Sequence, residues 1–187
     1  QFSEEEILEP TDWVLMNFIM DARTGLGRFR DFKISNYQLM MKLIDACKDH
    51  SIEEILQMED VAERVSLYHE HNEMAKAQIA KCSTVYDNLV VLDLTDQETI
   101  YATNRFVIYA MYPDCNISIH KMWGLKKQNV VFAIGKSITN RSSKTNVGEL
   151  CLKYGGGGHM NAGTCQVETS KAETVLGELI ETITSDG

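Results

Sequence analysis

Four glycines in a row, Gly155 to Gly158, followed at once by His159, constrain this chain more than any other stretch. Glycine loses more backbone freedom on folding than any other residue, so such a run is costly inside a regular element. A single glycine in the left-handed region is enough to end the helix expected over "NVGELCLKY" just before it. Four glycines therefore imply a backbone surface that an anionic or planar ligand can touch, since exposed N–H groups bind phosphate oxygens. The run is not a Walker loop, because no Lys-Ser/Thr follows it. It also lacks the strand-G-x-G-x-x-G order of dinucleotide sites. The basic stretch "GKSITNRSSKTN" lies directly upstream.

Charge sharpens that expectation. The whole chain carries a net charge of −9, which argues against a general nucleic-acid coat. From Cys115 to Met160, however, seven basic residues stand against one acid, a local balance of +6, and the rest carries −15. A basic island in an acidic chain points to a confined anion site. The five cysteines are odd in number, widely spaced and without a CxxC pair. That favours a reducing, cytoplasmic setting over a disulfide framework or a zinc finger. No apolar run has the 18 residues of a membrane span, and the N-terminus lacks the pattern of a secretory signal. The chain begins without Met and in mid-pattern, as a fragment of a longer protein would.

A length of 187 residues suits one ordinary domain or two small ones. The pattern predicts an α/β chain in two parts, residues 1–82 and 83–187. The first is helical: a Ser3-capped start, a possible second helix after Pro10, a helix over 35–50, and one long helix over 51–82. The apolar face of the last runs through Ile52, Ile55, Leu56, Val61, Val65, Tyr68, Met74 and Ile79. The second part alternates strands with helices, which implies a mixed sheet with helices on its faces. Strands are expected at "NLVVLDLT", "CNISIHKMWG", "VVFAIGKSI" and "GTCQVET", with a short one at "TIYA". Helices are expected at "NVGELCLKY" and "SKAETVLGELIETI". "NRFVIYAMY" fits a helix or a strand.

The motif "YGGGGHMNAG" resembles the glycine–histidine motif of the DHH-associated domain of the DHH phosphoesterase superfamily. That superfamily includes single-strand exonucleases, short-oligonucleotide phosphodiesterases and exopolyphosphatase-like proteins. Its basic-serine segment precedes the glycines, where "NRSSKTNVGEL" stands here, and the resemblance covers residues 128–185. It implies a substrate-holding module. Arg141 would contact a phosphate through its guanidinium fork, with Ser142, Ser143 and Lys136 nearby. Gly156, Gly157 and Gly158 would let a nucleotide lie against the backbone, and His159 would hydrogen-bond phosphate. Trp123, Tyr154 and Phe132 are candidates for stacking a base.

"MDARTGLGRFRDFKISNYQLM" resembles the last metal-binding motif of the DHH catalytic domain. Asp21, Thr24, Gly25 and Phe29 match its order. The resemblance implies that Asp21 is one ligand of a two-metal centre holding manganese or magnesium, hard ions suited to carboxylates. The Asp-His-His triplet and the earlier Asp motifs do not occur in the chain. Residues 1–82 would thus be the tail of the catalytic domain with a linker helix, inactive alone, whose missing partner is the N-terminal DHH domain. Substrates would be short oligonucleotides or other phosphate-rich molecules, and a homodimer is compatible. The accessory domain also resembles the C-terminal part of alanyl-tRNA synthetases, which implies the alternative of a non-catalytic RNA-binding module.

Overall fold

The computed structural model describes residues 2–187. They divide into two compact units: residues 2–78 with 100–107, and residues 79–99 with 108–187.

In the first unit, three helices open on the same local device. A serine hydroxyl accepts from the backbone N–H three residues on, and that residue's side chain accepts from the serine N–H. The pairs are Ser3–Glu6 at α1 (Glu4–Leu8), Ser35–Gln38 at α3 (Asn36–Asp49) and Ser51–Glu54 at α4 (Ile52–Leu56). Each satisfies two donors that a helix start leaves orphaned. Helix α2 (Asp12–Met20) begins just past Pro10. The helix expected over 51–82 is broken: α4 ends at Leu56 and α5 runs Glu59–Cys82. The apolar positions explain the break. Leu56 to Val61 is five residues, a step about 140° off the helical face, and an interruption restores the phase. Met74 likewise falls out of phase with Tyr68 and is exposed, while Ala75 and Ile79 take the buried positions. Leu15, Phe18, Ile19, Leu39, Ile55, Val61 and Tyr68 form the centre of this unit's core.

The "TIYA" stretch is not a strand. Its polar groups are satisfied by side chains instead of a ladder. The Tyr101 N–H donates to Gln78 Oε1 at 3.2 Å and the Ala102 N–H to His71 Nδ1 at 3.0 Å; just beyond the stretch, Asn104 Nδ2 donates to the Ile7 carbonyl at 3.0 Å and to the Tyr68 hydroxyl at 2.8 Å.

The second unit is built on a six-stranded mixed sheet of order β1-β2-β3-β4-β6-β5. The strands are β1 (Ser83–Tyr86), β2 (Leu89–Asp93), β3 (Ile117–Trp123), β4 (Val130–Lys136), β5 (Gly157–His159) and β6 (Ala162–Val167). Only β2 and β3 run parallel. A parallel pair needs a crossover, which residues 94–116 supply. Within it "NRFVIYAMY" resolves as helix α6 (Val107–Met111). Helices α7 (Val147–Leu152) and α8 (Ala172–Asp186) cover one face. Their Val147, Leu150, Cys151, Leu179 and Ile183 pack on Leu89, Val91, Ile117, Ile119, Phe132, Ile134 and Cys165. By strand alternation, Ser118, His120, Ala133, Gly135, Ala162 and Thr164 project from the opposite face.

Candidate functional site

The glycine run answers to three neighbours. Gly155 lies in the left-handed region at φ 75° and turns the chain out of α7. A Cβ on Gly156 would strike the Thr164 carbonyl and the Cys165 Cα, and one on Gly158 would strike Ala162 and Gly163. From the other side, a Cβ on Gly148 of α7 would come within 3.0 Å of the Gly158 and His159 backbone. So β5 is pressed against both β6 and α7, and most of the glycines are there for backbone packing. Gly157 is the exception: its φ is not positive, and a Cβ there would meet nothing within 4 Å. It is exposed, as is His159, and the His159 imidazole makes no hydrogen bond among the described residues. Because β5 is an edge strand, its outer rim carries backbone groups that the ladder does not use. Between β5 and α7 runs a cleft of about 350 Å³ that includes Asn146, Glu149 and Met160. Glu149 makes it a poor place for phosphate.

The basic-serine loop is tied to the same end of the sheet. The Lys136 N–H donates to the Asn161 carbonyl at 2.9 Å, which joins the end of β4 to the β5–β6 turn. Lys136 Nζ donates to the Ser143 carbonyl at 3.0 Å. The Ser142 hydroxyl donates to Asn140 Oδ1 at 2.7 Å and accepts from Asn116 Nδ2 at 2.9 Å. Ser143 is buried, and its hydroxyl has no partner among the described residues. Arg141 is exposed, held among the described residues by a single Nε–H donated to the Ile138 carbonyl at 3.2 Å. Its fork is therefore free to take an anion. Asn116 and Asn140 escaped the sequence reading. The signal was present for Asn140, which stands two residues before Ser142, the spacing at which an Asn side chain caps its own turn.

The basic island is less concentrated than its charge count implies. Lys121 is buried between Asp93 and Glu173, at 2.8 and 2.6 Å, and serves the fold. Lys126 and Lys127 sit in the β3–β4 turn, at the opposite end of β4 from Lys136. The three aromatic candidates for stacking all belong to the helix-covered side. Phe132 is fully buried, Trp123 Nε1 donates to the Thr95 carbonyl, and the Tyr154 hydroxyl donates to Glu178. None is placed to stack a base on the opposite face.

In the first unit, Asp21 closes α2 and starts a short 3-10 turn over Ala22–Thr24. Its carboxylate accepts from the Arg23 N–H at 2.9 Å and from the Arg23 guanidinium at 2.8 Å, with Arg105 at 3.8 Å. Partial burial pushes this carboxyl up, but the Arg23 hydrogen bonds and the two guanidinium charges outweigh it and hold it below its usual value. The Thr24 hydroxyl donates to the Phe18 carbonyl at 2.6 Å, and Gly25 takes φ 87°, so the turn is fixed from both sides. Asp21 lines a cavity of about 330 Å³ with Arg30, Asp31, Asn36 and Arg64. Among the described residues no group of three or more His, Cys, Asp or Glu side chains converges. Two divalent cations need more oxygen ligands than Asp31 and an Asp21 already held by Arg23 offer. These residues do not by themselves make a metal centre, and Asp21 fits only as a single contributed ligand.

No protein-family model matches the chain, and no curated protein sequence does. Among solved structures, the pGpG-specific phosphodiesterase PggH from Vibrio cholerae is 64% identical over 100% of the chain, with a TM-score of 0.96. The chain spans 64% of the length of PggH. An exopolyphosphatase-related protein from Bacteroides fragilis matches 80% of the chain and 43% of its own at 17% identity, with a TM-score of 0.52, a likeness of fold alone. No helix among the described residues is long and apolar enough to cross a membrane. With 64% identity, the chain is similar over its whole length to this phosphodiesterase, and the α/β architecture and the glycine–histidine edge accord with the resemblance to the DHH phosphoesterase superfamily.

Proposed function

We propose that the chain is the substrate-holding portion of a metal-dependent phosphodiesterase that cleaves short single-stranded oligonucleotides such as pGpG. The observation that carries this reading is the 64% identity, over the whole chain, with a pGpG-specific phosphodiesterase. Arg141 grips a phosphate through its free fork, and Ser142 and Lys136 hold the loop that presents it. His159 donates to the same or the next phosphate from the β5 edge, where Gly157 leaves room for the ligand against the backbone. Asp21 supplies one ligand to a manganese or magnesium pair whose other ligands come from a DHH domain outside residues 1–187. Those metals would activate water and stabilise the leaving oxygen. The setting is the cytoplasm, where all five cysteines stay free.

Calorimetric titration of the chain with pGpG tests the reading, with His159→Ala and Arg141→Ala beside the wild type. We expect binding that each substitution weakens about tenfold, the loss typical of a charge-assisted hydrogen bond. The chain alone should show no manganese-dependent hydrolysis. Unimpaired binding by both variants, or hydrolysis by the chain alone, would overturn the assignment. Short polyphosphate binding as tightly as pGpG would shift it to an exopolyphosphatase-like enzyme.

A further inference from the structure

The sheet face opposite α7 and α8, covered by Tyr109 at Ser118 and Gly135 but exposed at Thr164 and Gly157, carries a second histidine that the phosphate-binding roles leave unused. His120 lies on β3, between Ile119 and Lys121, and its neighbours Ile117 and Ile119 point into the helix-covered core. Alternation therefore turns His120 to the opposite face. The registers place it in one cross-strand row: His120 opposite Ala133, Ala133 opposite Thr164, and Thr164 opposite Gly157. That row ends on the one glycine of the run that neither a close neighbour nor a positive φ requires. Ser118, Gly135, Ala162 and His159 form the adjacent row, which the Tyr109 hydroxyl covers at Ser118 and Gly135, at 2.9 Å from each. No side chain between His120 and Gly157 is larger than threonine. Three strand spacings separate them, about 14 Å, room for a base, its sugar and a phosphate laid across the strands.

We propose that His120 reads the base of the bound oligonucleotide, hydrogen-bonding the edge of a nucleobase that lies on this face while its phosphate is held at the Gly157–His159 edge. This rests on the oligonucleotide reading of the site above. His120 is half-buried and has no hydrogen-bond partner among the described residues. Burial lowers its pKa to about 4, so at neutral pH it offers one donor and one acceptor and carries no charge. That pair suits a base edge and is a poor match for phosphate, which favours charged donors. Gln166, on the same face, is already engaged by Asn129 Nδ2 at 3.0 Å.

The test compares pGpG with the same phosphorylated dinucleotide lacking both bases, titrated into wild type, His120→Ala, His120→Gln and His159→Ala. We expect His120→Ala to weaken pGpG about tenfold, the effect of one neutral hydrogen bond lost in a site, and to leave the abasic ligand unchanged. His120→Gln, which keeps a donor and an acceptor, should recover part of the loss. His159→Ala should weaken both ligands. If His120→Ala weakens both ligands equally, or neither, with its thermal unfolding unchanged, the base-reading role is wrong while the oligonucleotide site stands. If His120→Ala fails to fold, His120→Gln decides, and equal weakening of both ligands there overturns the role. If wild type binds neither ligand, the underlying site assignment fails and this role falls with it.

Discussion

Replacing Gly156 by alanine drives a Cβ into the Thr164 carbonyl of β6, and Gly158→Ala does the same at Ala162. Each should cost about 1–3 kcal/mol, the range for overpacking, seen as a lower Tm. Gly157→Ala meets only open space, so its stability should stay within about 0.5 kcal/mol of wild type. Its pGpG affinity should nonetheless fall, because the added methyl occupies the place given to the ligand. That split between stability and binding separates the packing glycines from the functional one. A second prediction concerns His71, buried with its Nδ1 accepting from Ala102 and its ring 4.1 Å from that of Phe29. Burial lowers its pKa and the Arg28 charge adds to that, against an opposing pull from Glu70. A histidine with a depressed folded pKa binds its proton more readily when unfolded. Its stabilising contribution is complete above pH 6.5 and is lost as the pH falls below it. Half-buried His120, lowered to about 4, acts in the same direction. Urea unfolding from pH 7 to 5 should show declining stability, and His71→Gln should flatten the decline.

Among the elements, helix starts were legible because their chemistry is local. Ser3 with Glu6, Ser35 with Gln38 and Ser51 with Glu54 each complete a capping box within four residues. Ser35→Ala should cost about 1 kcal/mol. The loop after Asp21 depends on a longer reach. Arg64, whose side chain is wholly buried, donates to the Ile34 carbonyl at 2.7 Å, the Asp60 carbonyl at 2.6 Å and Asn36 Oδ1 at 3.0 Å, and lies 4.0 Å over the Phe32 ring. Arg64→Met would leave those acceptors unsatisfied. The expected loss is at least about 2 kcal/mol, read by denaturant titration. No spacing rule joins Arg64 to Ile34, thirty residues earlier. Strand β5 was missed for a related reason: three residues, two of them glycine, have no strand propensity of their own. They become a strand only because β6 and α7 leave room for nothing else.

At the scale of the molecule, the division between units does not follow the chain. Residues 100–107 belong with the helices of residues 2–78, where Ala102 and Asn104 are buried. A fragment beginning at Ser83 would strip that segment of His71, Tyr68 and Ile7. Its amides from 100 to 107 should then exchange rapidly with solvent, whereas those of β3 and β4 stay protected. The amino-acid sequence by itself determined the α/β class, the helix starts, the buried strand at Leu89–Asp93 and the glycine–histidine motif. Each of these is written in neighbouring residues, through period, capping and steric tolerance. Tertiary structure alone decided that Lys121 serves the fold, that Trp123, Tyr154 and Phe132 face the helices, and that His120 shares a face with His159. Those outcomes depend on strand order and register, which are set by how apolar surfaces far apart in the chain fit together.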